Sequence, residues 1–205
     1  SFSVPDSAFV VATGRDKFPV VQVSWHGARA YAGFYGRTLP READWEKAAR
    51  GTADDLLGSI EVQVGAEIDT VGRGYPFPWG GWTGNADLNR GNFRNSGDPY
   101  ESQGRVRTTP VGFFDGTVQQ GFQTGSGVSP YGIHDMSGNV WQWCEDWYDV
   151  YRAPYSPPAS GQFKVIRGGS FDKPYGSAVT WNRSYLAPET CDRAVGFRTS
   201  KQLLR

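Results

Sequence analysis

Four side chains in this 205-residue sequence are of types that bind redox metals or act as thiol nucleophiles: His26, His134, Cys144 and Cys191. Two histidines with a carboxylate would complete a facial triad for iron. These two stand far apart, His26 in a helical stretch and His134 in a loop, and read as surface or capping residues. Cys144 and Cys191 are equally consistent with two free thiols or one bridge, which leaves the redox compartment open. Ser170 follows Gly168-Gly169, and a turn accounts for it better than a nucleophile–base pair does. A denser grouping lies between residues 171 and 192. Asp172, Lys173, Arg183, Tyr185 and Glu189 carry groups fit for acid–base work. Phe171, Tyr175, Trp181 and Tyr185 offer rigid contact area, and Asp172, Ser177, Thr180 and Asn182 offer adaptable hydrogen bonds, which is the make-up of a binding surface.

The rest of the composition narrows the classes. The 21 basic and 21 acidic residues give a formal net charge of zero, so there is no electrostatic footprint for nucleic acid or an anionic membrane. No apolar run approaches the roughly 18–20 residues that span a bilayer. With 27 Gly, 13 Pro, 8 Trp, 10 Tyr and 12 Phe, the chain promises turns shaped by Gly and Pro and a core filled by aromatics. Its length suits one domain over residues 1–205. No secretory leader is visible, and a start at Ser1 is what a processed chain or a piece of a longer one would show. No heptads mark an obligate coiled-coil partner.

The elements that must position these groups are few. Phe18–Val23 reads as a short strand or extended lead-in to a helix capped by Ser24, with Ala28, Tyr31, Ala32 and Tyr35 on one face and Gly36 at its end. A second helix spans Glu42–Arg50, acidic first and basic last as the helix dipole prefers. Gly51 stops it, and Trp45, Ala48 and Ala49 form its buried stripe. Residues 52–72 read as an insertion holding a β-hairpin, with Ile60, Val62 and Val64 alternating before a Gly65-Ala66 turn. Val140–Trp143 and Phe163–Ile166 are the clear core strands. Ser170–Arg193 lacks periodicity and reads as an irregular path on a rigid support.

Seven segments in order carry a resemblance: Pro19–Trp25, Arg37–Glu46, Pro78-Trp79-Gly80, Thr109–Gly112, Tyr131–Trp143, Arg167–Phe171 and Gly196-Phe197-Arg198. Together they resemble the formylglycine-generating-enzyme and sulfatase-modifying-factor family over nearly the whole chain. The resemblance implies an irregular α+β fold of the C-type-lectin-like kind, with the ligand-binding segment inside 167–198.

The resemblance also implies chemistry, part of which the sequence lacks. Family enzymes carry two copper-binding cysteines soon after Gly-Gly-Ser, where thiolates suit Cu(I). The matching stretch Phe171–Val179 has none, so no copper is expected. Relatives that use iron take three histidines from an added domain, and this sequence has two histidines in all. A calcium loop is implied at the side chain of Asp135, the carbonyls of Gly138 and Val140, and the side chain of Gln142. Gln142 stands where the family carries Glu, and the lost charge weakens the site. A second calcium site would use Asn92 and the Phe93 carbonyl, completed by Asp98 or Glu101. The expected function is a non-catalytic recognition domain for a protein or small-molecule ligand. Its binding surface lies between Gly168–Ser170 and Gly196–Arg198, a layout similar to the variable proteins of diversity-generating retroelements. The alternative is an oxidoreductase-type enzyme using non-cysteine residues, chiefly Asp172, Lys173, Arg183, Tyr185 and Glu189.

Overall fold

The computed structural model describes residues 13–51, 63–64, 67–68, 76–81, 84–101, 107–151 and 156–201. Ser24 begins helix α1, Trp25–Phe34, its hydroxyl accepting from the Gly27 N–H at 3.2 Å, the usual way an N-cap satisfies a free helical amide. Helix α2 covers Glu42–Arg50, as its charge pattern predicts, and ends at Gly51 with φ +76°. The Asp146 carboxylate accepts the Glu42 N–H at 2.6 Å and so caps α2 from a distant strand.

Four short strands form two separate hairpins. β1, Gln63–Val64, pairs antiparallel with β2, Glu67–Ile68, as the alternation predicts, and β3, Val118–Gln119, pairs with β4, Phe122–Gln123. The hairpin's turn at 65–66, and Ile60 and Val62, lie outside the described residues, as does most of 52–72.

The central sheet has the order β7-β6-β5-β8, with β5 Trp141–Trp147, β6 Lys164–Arg167, β7 Arg183–Leu186 and β8 Val195–Phe197. β8 runs parallel to β5, and the other pairs are antiparallel. Alternation sends β5 and β6 side chains to opposite faces. Trp141, Trp143 and Ile166 pack with Trp25, Ala28, Ala32 and Leu39 on the α1 side. Cys144 and Val165 pack with Trp45, Ala49 and Met136 on the α2 side. Indole N–H groups tie the layers: Trp25 donates to the Cys144 carbonyl at 2.9 Å and Trp143 to the Val23 carbonyl at 3.0 Å.

Three sequence expectations change. Phe18–Val23 makes no strand: Gln22 has φ +57°, and its N–H donates to the Asp192 carbonyl, so the segment is pinned by the C-terminal part of the chain. Tyr31 and Tyr35 are exposed rather than buried with Ala28 and Ala32, because the Trp25–Ala28–Ala32 stripe faces the sheet and Tyr31 reaches only its edge, against Phe197 at 5.4 Å. Ser170–Arg193 is not irregular throughout: it contains β7, four residues paired along their full length with β6.

Candidate functional site

The loop that precedes β5 is held by its own hydrogen bonds. Asp135, Gly138 and Asn139 all have positive φ. A Cβ at Gly138 would lie 2.5 Å from the Asn92 carbonyl oxygen, so only glycine lets the two backbones approach this closely. The Asn139 amide clamps Thr109, accepting from its N–H at 3.1 Å and donating to its carbonyl at 3.2 Å. Gln142 Nε2 donates to the Asp135 carbonyl at 2.7 Å. Its Oε1 accepts from Trp45 Nε1 at 2.8 Å and from Arg198 Nε. The other end of the Arg198 guanidinium donates to the carbonyls of His134 and Asp135 at 3.0 and 3.2 Å. Burial raises the pKa of the Asp135 carboxyl, opposed by the Gly112 N–H and by Arg198. Burial also lowers that of Arg198, against the pull of Asp135.

This arrangement decides the fit of a calcium ion. Gln142 reaches Asp135 only at its carbonyl, the Gln142 oxygen already carries two N–H donors, one of them the Arg198 guanidinium, and the Asp135 carboxylate accepts from Gly112 N–H. The set therefore does not fit a divalent cation, which needs free oxygens. At the second implied site, Asn92 is buried with an unpartnered Oδ1. The Phe93 carbonyl accepts from Ser96 N–H. Asp98 accepts from Ser96 Oγ and Tyr100 N–H, and Glu101 from the N–H groups of Asn95 and Gly97. Both carboxylates are committed to their own turn, and among the described residues none converges on Asn92 Oδ1. Among the described residues no group of three or more His, Cys, Asp and Glu side chains is placed to hold a metal.

The segment from Gly168 to Asp192 begins with a double-glycine bend, φ +100° and +72°. A Cβ at Gly169 would press on Ala178 at 2.9 Å. Ser170 is fully buried and its hydroxyl donates to Asp172 Oδ1 at 2.9 Å, so it holds the turn as the sequence suggests. Asp172 also receives Arg193 on Oδ2 at 3.4 Å and Arg94 on its carbonyl. Tyr175 stacks on Phe77 with centroids 4.4 Å apart, and its hydroxyl donates to Asp87 Oδ2 at 3.0 Å. Burial and then Asp87 push its pKa up. The Ser177 hydroxyl and Asn182 amide donate to the carbonyls of Pro174 and Ser177. Phe171 and Thr180 are buried.

Of the eight expected binding residues, six are therefore engaged in holding the segment together. Trp181, 39% exposed, and Tyr185, 45% exposed, are the two that face outward. Tyr185 packs on Tyr148 and Phe163 with centroids 4.4 and 5.0 Å away. Arg183 extends this patch, lying over the rings of Tyr151 at 3.7 Å and Tyr148 at 4.9 Å. The sequence reading missed Tyr148, Tyr151 and Phe163. Their nearness to Tyr185 follows from the strand order β7-β6-β5, for which the sequence carried no signal.

The five acid–base candidates are dispersed. Arg183 is bound to both oxygens of Glu42 at 2.6 and 2.8 Å. Tyr185 sits among aromatics, Lys173 is exposed, and Glu189 is 3.9 Å from His26 on the α1 side. Cys144 is buried and free, with burial raising its thiol pKa well above the ordinary value, and Cys191 is exposed and free.

Comparison with known proteins agrees with this architecture. Residues 5–203 match the sulfatase-modifying factor enzyme 1-like domain. The chain is 32% identical to the serine/threonine-protein kinase pkn1 of Chlamydia caviae over 200 residues, covering 94% of this chain and 25% of that one. It is 32% identical to the formylglycine-generating enzyme of Streptomyces coelicolor over 203 residues, covering 95% and 56%. The chain thus spans between a quarter and just over half of the length of these relatives. Treponema denticola variable protein 1 superposes with a TM-score of 0.60 at 20% identity, covering 92% of this chain and 73% of that one, a likeness of fold. With its α+β architecture and a match over almost its full length, the chain belongs to the sulfatase-modifying factor enzyme 1-like family.

Proposed function

We propose that this chain is a non-catalytic recognition domain that binds a protein or small-molecule ligand on the outward side of the 171–192 segment. The observation that carries the reading is the exposed aromatic patch of Tyr185, Phe163 and Tyr151, braced by the half-buried Tyr148 and by Arg183, with Trp181 exposed just before β7. Aromatic side chains and arginine are the residues that dominate binding energy at interfaces. Arg183 is fixed by Glu42 and braces the Tyr151 and Tyr148 rings, so these rings lose little freedom when a ligand covers the patch.

The dispersal of the acid–base groups speaks against the oxidoreductase alternative, since a base and its orienting partner must be within hydrogen-bond reach. The fully bonded support under the segment suits a surface whose outward residues vary, and the likeness in fold to a variable protein points the same way. The finer proposal is that this is the variable protein of a diversity-generating retroelement. A near-copy of the coding segment for 171–192 beside a reverse transcriptase gene would support it, and a uniform segment across close strains would count against it.

The binding face is tested by probing a protein and glycan array with the wild type and a Trp181→Ala/Tyr185→Ala double variant. Signals lost in a folded double variant support the reading, and signals that persist would move the face elsewhere.

A further inference from the structure

Away from that segment, a cleft of about 550 Å³ opens between the outer face of α1 and the loop that leads into α2, a volume within the range of small-ligand sites. Arg29, Arg37, Arg41 and His26 line it against a single carboxylate, Glu145. In a chain with zero formal net charge this is a local excess of cations.

Their pairing is uneven. Arg29 Nε lies 3.2 Å from Glu145. Arg41 makes a two-pronged pair with Asp44 at 2.8 and 3.1 Å, outside the cleft lining. Arg37 differs: among the described residues its guanidinium meets no carboxylate and makes one long hydrogen bond, 3.4 Å to the Thr199 hydroxyl. Most of a rigid five-donor fork suited to planar or tetrahedral oxyanions is thereby left to solvent.

The floor of the cleft is a second observation. α1 turns Ala30 and Gly33 toward it. Glycine within a helix weakens it, and here packing does not require one, since a Cβ at Gly33 would meet no atom within 4 Å. What glycine does at this position is leave the floor bare beside three guanidinium groups.

We propose that this cleft binds a small molecule with an anionic oxygen head, carboxylate or phosphate, gripped by Arg37. Arg29 and Arg41 turn from their surface partners to share the charge, and a short apolar body lies over Ala30, Gly33 and Leu39. The site lies on the α1 side of the sheet, apart from the Trp181–Tyr185 face, and touches the 171–192 segment only where His26 lies 3.9 Å from Glu189.

The test is calorimetric titration with inorganic phosphate and with succinate at an ionic strength fixed by sodium chloride, on the wild type, Arg37→Gln and Gly33→Leu. The wild type is expected to show saturable binding of at least one probe, weakened tenfold or more in both variants. Its thermal midpoint should rise by about 4 °C at ligand about tenfold above Kd. Phosphate alone would mark a phosphate ester as the natural class, and succinate alone a carboxylic acid. Absence of saturable binding of either probe, or binding unchanged in both variants, overturns the proposal. Should Arg37→Gln fail to fold, Gly33→Leu decides alone, because it fills the floor without touching a charge.

Discussion

Arg167 and Arg183 stand opposite each other across β6 and β7 on the α2 face of the sheet, whereas Arg29, Arg37 and Arg41 surround an open cleft on the α1 side. Like charges paired across strands repel, and the first group is stable because α2 delivers two carboxylates to it. Glu42 lies 3.2 Å from Arg167 and 2.6 Å from Arg183, and Glu46 reaches Arg167 from the next turn. The Arg167 side chain is wholly inaccessible to solvent and also lies over the Trp45 ring. Among the described residues the cleft arginines have one carboxylate partner each or none, and every one of them is exposed. Burial against carboxylates makes arginine a strut between helix and sheet. Exposure with incomplete pairing leaves its donors for a ligand.

The largest expected break in that contrast is Arg167→Met, which takes the buried cation from between Glu42 and Glu46 and leaves them to Arg183 and Arg50. Loss of one partner of a buried ion pair costs about 3–5 kcal/mol, read as a drop in urea-unfolding free energy. A loss below about 1 kcal/mol would show that Arg183 neutralises Glu42 unaided and that the network is not required.

Next comes Gln142→Leu. It removes the acceptor for Trp45 and Arg198; the Asp135 carbonyl keeps Arg198 and Arg198 keeps two carbonyls, so the main cost is the unpaired Trp45 indole N–H, about 1–3 kcal/mol. Because the wild-type oxygen is already taken by N–H donors, calcium or a chelator is expected to leave the wild-type midpoint unchanged. A calcium-dependent rise would show that Arg198 yields its place to the ion.

These two networks explain what could be read in the sequence. α2 was legible to the residue because its charges and its Trp45–Ala49 stripe obey one period, and Gly168-Gly169 announced the bend. β7 was not, since Arg183-Ser184-Tyr185-Leu186 looks polar until Glu42 is known to sit beneath Arg183. β8 is only Val195-Gly196-Phe197, too short for a pattern, and is defined by its parallel pairing with β5. Within the expected binding segment, residue type alone could not separate Phe171 and Thr180, which face the core, from the exposed Trp181 and Tyr185. That distinction comes from the register of β7 and from Asn139 and Pro76, whose carbonyls fix the backbone of Phe171 and Thr180.

A buried cation on the α1 side sharpens the comparison further. Lys164 lies over the indoles of Trp147 and Trp25 at 3.7 and 4.0 Å and donates to the Glu145 carbonyl at 2.7 Å. Burial lowers its pKa from 10.5 to about 8, while Glu145 and Asp146 pull it upward; the two ring faces also favour the charged form. A folded pKa below the unfolded one means that the unfolded chain binds more protons between the two values. The Lys164 contribution is therefore complete above about 10.5 and is lost as pH falls through about 8. Unfolding free energies of the wild type and Lys164→Met, measured from pH 7 to 10, should diverge in favour of the wild type as pH rises. A constant difference would mean that the rings hold the ammonium near its ordinary pKa.

The smallest effect carries the contrast to the cleft itself. Gly33→Ala places a methyl where no atom lies within 4 Å and at a helical position, so stability should rise by about 0.5–1 kcal/mol. Arg37→Gln should change stability by less than about 0.5 kcal/mol, as exposed substitutions usually do. Chemical denaturation of both in chloride buffer checks this pair. If Arg37→Gln instead costs as much as Gln142→Leu, Arg37 is a strut like Arg167, and the division between buried and open arginines fails at the residue on which the cleft depends.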